Sequence, residues 1–152
     1  MKHLIISGGS PSSRSETLRS LAWFRFRVRC FLRFSERVSR SCGITPQQHQ
    51  LLLGVAGYTG RGWATISELA EFLQGRHNAV VGLVQRAAAR GLVRKVQGEK
   101  DRRFVKVHLT SKGLTLLNKI SQMNIAELRE LQFEIMKTPQ PRPRDIPAAR
   151  GT

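Results

Sequence analysis

The sequence predicts a mainly α-helical fold with a small β-hairpin wing: a winged helix-turn-helix lobe with a long helix on either side. Three observations predict it. Between Thr65 and Thr110 two short amphipathic helical patterns meet at a tight turn. Two alternating apolar and polar runs then flank a charged loop, and long apolar helical patterns precede and follow the whole unit.

Size and charge bound the possibilities. The chain of 152 residues suits one domain, and 40% apolar residues are enough for a packed core. With 26 Lys and Arg against 10 Asp and Glu, the formal charge is +16. Polyanions are the natural partners, nucleic acid first and an anionic membrane surface second. Cys30 and Cys42 are too few for a disulfide scaffold, which points to a reducing compartment. His49, His77 and His108 lack metal-site spacing, so neither a metal nor a cofactor is expected. The scattered acidic residues assemble no catalytic pair or triad, so no enzymatic activity is expected. Leu4 to Ile6 is followed at once by Ser7-Gly8-Gly9, short of the ~7 apolar residues a signal peptide needs. No apolar run is long enough for a membrane span, and a cytoplasmic, nucleoid-associated protein is expected.

Residues 1–14 are rich in Gly, Ser and Pro and read as a flexible lead. From residue 15 to 41 two periodicities compete. Phe24, Phe26, Val28 and Cys30 alternate with arginines as in a strand, but Leu21, Phe24, Val28, Phe31, Ser35 and Val38 fall at helical spacing. Length decides for a helix, because strands rarely exceed ~10 residues. Arg25, Arg29, Arg33 and Arg37 form an i, i+4 stripe along it. That stripe is compatible with a solvated face, a phosphate-flanking face or a membrane-lying helix. Trp23, Phe26, Cys30 and Phe34 broaden the apolar face beyond what one small core covers, which suggests a partner subunit.

Thr45-Pro46-Gln47-Gln48 starts the next helix, with a cap residue, proline at the first position and glutamine at the third. It should stop near Gly57, and Trp63 is expected to anchor the following link on the core. Thr65 and Glu68 form a second capping box before Ile66, Leu69, Ala70 and Leu73. Gln74 and Gly75 turn the chain into a helix with Val80, Leu83, Val84 and Ala87 inward, ending at Gly91.

The outward face of that last helix carries His77, Asn78, Val81, Gln85 and Arg86, with Arg76 just ahead and Gly82 leaving a gap. Asn and Gln can pair with adenine, Arg with guanine, and Val can touch a thymine methyl, which suits a major groove. The runs Leu92 to Val96 and Phe104 to Leu109 read as strands. The loop between them places Lys100, Asp101, Arg102 and Arg103 where long cations can reach a minor groove or its phosphates.

In this order, the helix pair, Gly91-Leu92-Val93-Arg94-Lys95, Asp101 and Arg103, and Leu109-Thr110-Ser111-Lys112-Gly113 resemble the MarR family of bacterial transcriptional regulators. The resemblance runs from about Leu18 to Leu131. It implies that Arg103 enters the minor groove and that Asp101 pairs with it to hold the wing. It also implies a homodimer on pseudo-palindromic double-stranded DNA, usually as a repressor, with a small-molecule effector a further expectation. Family members often carry Ser, Thr and a basic residue where this chain has Asn78, Val81 and Gly82, so base preference does not carry over. Some members sense oxidants through a thiol, which brings Cys30 and Cys42 forward as redox candidates. A nonspecific polyanion-binding or architectural protein is the alternative outside that function.

Residues 111–137 form a last apolar band through Leu117, Ile120, Met123, Leu128, Leu131 and Ile135. It reads as one helix or as two, with Asn124 and Glu127 capping the second. By resemblance it packs with residues 15–41 as a dimer interface, so the domain spans 15–138. Residues 139–152, with four prolines among three arginines, read as a disordered arm.

Overall fold

The computed structural model of the chain describes residues 11–98 and 105–137. In order they form α1 (Pro11–Ser41), α2 (Pro46–Leu53), a π-helical turn (Gly54–Tyr58), β1 (Trp63–Thr65), α3 (Ile66–Phe72), α4 (His77–Ala89), β2 (Val93–Gln97), β3 (Val105–Leu109) and α5 (Ser111–Lys137). They divide into two compact units. One comprises α1 up to Arg33 and α5 from Ala126; the other runs from Phe34 to Ile125.

Helical period wins over alternation in α1, which begins at Pro11. Residues 11–14 are therefore helical rather than part of a flexible lead, with proline at a position where its missing N–H costs nothing. The helix stops where Gly43 takes a φ of 80°. The Ile44 amide then reaches the Ser39 carbonyl at 3.1 Å and the Gly43 amide reaches that of Arg40 at 2.9 Å, which satisfies two last-turn carbonyls.

Both capping boxes form. The Gln48 amide donates to Thr45 Oγ1 and the Thr45 amide to Gln48 Oε1, each at 3.1 Å. The Thr65 amide donates to Glu68 Oε2 at 2.8 Å, and the Glu68 amide to Thr65 Oγ1 at 3.3 Å. The α3–α4 turn is closed by Gln74 at φ 50°, with the Gly75 amide on the Ala70 carbonyl at 3.0 Å. Gly91, at φ 67°, ends α4 in the same way through Leu92 N–H to the Ala87 carbonyl at 3.0 Å.

The hairpin acquires a third strand. β1 pairs antiparallel with β3, giving the order β1-β3-β2. Trp63 lies half-buried on this strand while its neighbour Ala64 is the residue sealed in the core. The core also takes Leu51, Leu52 and Val55 from the second helix and its turn, Leu69, the inward face of α4, Val107 and Ile120.

From Ser111 to Lys137 there is one continuous helix, so of the two readings of this segment the single helix is the one that forms. Asn124 is buried, and its amide nitrogen donates to the Ile120 carbonyl one turn back at 3.0 Å, so the side chain serves the helix interior. Met123 and Ile135 of the apolar band are 45% and 42% exposed. In the first unit Arg27 is ion-paired with Glu134, and Leu131 is buried. Leu18, Leu21, Phe24 and Phe133 remain open to solvent there.

Candidate nucleic-acid interface

The second unit holds α4 by its C-terminal end. At its C-terminus Arg90 donates from Nη1 to Gln48 Oε1 at 2.8 Å and from Nη2 to the Gly43 carbonyl at 2.6 Å. Lys112 Nζ in turn donates to the Arg90 carbonyl at 2.9 Å. Thr110 Oγ1 donates to the Gly91 carbonyl at 2.6 Å and accepts from the Gly113 amide at 3.0 Å, seating the start of α5 on the same turn.

The opposite end of α4 is open. Arg76 sits at the cap position, and no side chain caps the helix. The first-turn amides therefore lack intrahelical acceptors and carry the positive end of the helix dipole. Arg76, His77 and Asn78 are exposed around that end, and Gln85 and Arg86 are exposed two turns further on. Val81 is half-buried between them, while Val80, Leu83, Val84 and Ala87 are buried on the other side. All six helix residues marked from the sequence lie on described backbone. Gly82 leaves no gap, because Arg86 Nη1 lies 3.2 Å from where a Cβ would stand, so the guanidinium folds back over the helix.

Sequence reasoning missed the groove beside this face. A cavity of about 410 Å³ is lined by Thr65, Ile66, Ser67, His77, Val81, Val84, Gln85, Lys95 and Val105. Lys95 could have been placed there from the alternation of β2, since it shares the inward set with Val93. Thr65 and Ser67 arrive only through the tertiary approach of α3. Glu68 stays out of the way as a structural group. The Thr65 amide and then the Arg61 guanidinium hold its carboxyl below the usual range.

The wing residues Lys100, Asp101, Arg102 and Arg103 lie outside the described residues. What the structure gives is their launching frame, the β2–β3 ladder from Val93↔Leu109 out to Gln97↔Val105. Cys30 and Cys42 are free and half-buried, and Cys42 packs against the core. His49 is buried and its pKa is lowered by that burial. Among the described residues no three His, Cys, Asp or Glu side chains gather as a metal site, and no helix is long and apolar enough to cross a membrane.

Residues 43–103 match the sequence model of the MarR family. No curated protein matches the chain by sequence. Among solved structures it is similar to AbsC, a MarR family transcriptional regulator from Streptomyces coelicolor. The TM-score is 0.65 at 20% identity, over 91% of this chain and 86% of that one. It is also similar to a cysteine-to-serine mutant of E. coli MarR complexed with operator DNA. There the TM-score is 0.59 at 21% identity, over 76% and 79% of the two chains. A third similar structure is Bordetella bronchiseptica BpsR, whose DNA binding is regulated by 6-hydroxynicotinic acid. Its TM-score is 0.59 at 17% identity, over 82% of each chain.

Proposed function

We propose that this protein, whose residues 43–103 match the MarR family model and whose fold is similar to that of a MarR family regulator, is a sequence-specific DNA-binding transcriptional regulator. The observation that carries the proposal is the uncapped, exposed start of α4 with Arg76, His77, Asn78, Gln85 and Arg86 around it. Free amides and cations there favour phosphate, and the amide side chains can discriminate base edges in a major groove. Lys100, Arg102 and Arg103 clamp the adjacent backbone or minor groove, with Asp101 shaping the wing.

The protein acts as a homodimer on a pseudo-palindromic operator, as a repressor in the cytoplasm. Support for the dimer comes from the first unit, where Leu18 at 61% and Phe133 at 57% exposure leave large apolar groups in water. Release by a small ligand is the regulatory reading that the comparison with BpsR favours.

The test compares DNA flanking its own gene with scrambled DNA of equal length across a salt series. The regulator retains a preference of ~10³ or more. A nonspecific polyanion binder, the reading favoured by the charge of +16, shows equal affinity for both at every salt.

A further inference from the structure

A second cationic surface lies on the outer face of the sheet. The register sets Trp63, His108 and Arg94 in one row across β1, β3 and β2, and Thr65, Lys106 and Val96 in the next. Strand spacing makes each row roughly 10 Å wide. The Arg61 guanidinium stands 4.0 Å from the centre of the Trp63 ring, Lys106 Nζ 4.6 Å, and the His108 ring 6.3 Å.

Arg94 and Lys106 stand diagonally across the β2–β3 ladder on this face, two residues apart in register, and like charges within such reach repel unless something neutralises them. Among the described residues no ion pair involves Arg94 or Lys106, and the nearby carboxylate of Glu68 is already paired with Arg61 at 2.5 Å. The opposite face of the sheet is closed by the core, with Ala64 and Val107 fully buried and Val93 nearly so. Toward the β1 side the hairpin body therefore offers a macromolecule its outer face, while Lys95 and Val105 open into the groove beside α4.

We propose that this face, built on Arg94, Lys106, His108 and Trp63, is an additional nucleic-acid contact that holds the sugar-phosphate backbone of duplex DNA running past the hairpin. The inference rests on the proposed DNA-binding function but assigns residues outside α4 and the wing loop. Cations neutralise phosphate while the indole supplies an amphipathic surface against the sugar edge. His108 adds a proton-linked element. Its pKa is lowered by burial and then by Arg94 and Lys106, and the Trp63 ring beside it carries the Arg61 guanidinium, itself paired with Glu68. A phosphate laid across the row favours the protonated ring, so binding takes up a proton.

The experiment uses the full chain with Trp23→Phe, which leaves Trp63 as its one indole, and a mixed-sequence duplex of about four helical turns. Duplex addition shifts or quenches Trp63 emission. The Arg94→Gln/Lys106→Gln variant has a slope of log affinity against log salt shallower by ~1.8, at 0.9 per charge removed. Arg94→Lys keeps its share of the slope, and His108→Gln loses the gain in affinity on acidification from about pH 8 to 6. Binding with silent Trp63 emission and an unchanged slope overturns the inference and leaves the regulator intact. A Trp63 response to polyglutamate but not to the duplex also overturns it, because the occupant is then an acidic protein. A Trp63 response to the duplex with no preference for the gene's own flanking DNA supports this contact while removing the regulator reading.

Discussion

Gly113→Ala is expected to be among the costliest single-methyl additions in the second unit. A Cβ at this position would stand 2.0 Å from the Leu92 carbonyl oxygen and 3.0 Å from its carbonyl carbon, far inside ordinary contact. Leu92 is 1% exposed and cannot give way, so the start of α5 must lift. Lifting it strains the Thr110 amide bond to the Leu92 carbonyl at 3.1 Å, the Thr110 hydroxyl bond at 3.2 Å and the Lys112 bond to Arg90 at 2.9 Å. Overpacking contributes ~1 to 3 kcal/mol and each weakened bond ~0.5 to 1.5 kcal/mol. A total of about 3 kcal/mol corresponds to roughly 6 to 12 °C in a chain of this size. Thermal and urea unfolding followed by circular dichroism measure it. Gly75→Ala is the matched control, because its new Cβ would meet nothing closer than 3.5 Å, and it should stay within about 0.5 kcal/mol of wild type. A Gly113→Ala melting point within about 2 °C of wild type would refute the seating of α5 on the α4–β2 turn.

Other perturbations separate reading from clamping. Asn78→Ala or Gln85→Ala should change which duplex wins in a competition assay; uniform weakening on all sequences would contradict direct readout by α4. Arg103→Ala should weaken binding broadly by ~1 to 3 kcal/mol in fluorescence anisotropy, and an unchanged isotherm would remove it from the interface. Burial holds the His49 pKa below the ordinary imidazole value of 6.5. The unfolded chain therefore binds its proton first, and stability declines as pH falls from 6.5 through the folded pKa. In urea midpoints across that window His49→Gln should flatten the decline, and an equal slope in both proteins would exonerate the residue.

What the sequence discloses is what its neighbours in the chain decide. Thr45 with Gln48 and Thr65 with Glu68 cap helices through residues three apart, and Val80, Leu83, Val84 and Ala87 turn inward on period alone. β1 escapes because its three residues pair only with β3, more than forty positions away, and Trp63 to Thr65 has no room to show a period. Asn124 leaves one helix or two open in the sequence because the same amide that can cap a helix can also bond one turn back inside it. The proposed reading face was visible as residue types, but the clasp of Arg90 on Gln48 and Gly43 that fixes α4 was not. Nor was the folding of Arg86 over Gly82, which depends on side-chain direction rather than spacing.

The central claim is that α4 reads DNA sequence from a twofold assembly. Selection of bound duplexes from a random pool, followed by sequencing, tests it most directly. The account predicts enrichment of an inverted repeat whose half-sites lie about one helical turn apart. A pool that remains as random after selection as before it would contradict that claim.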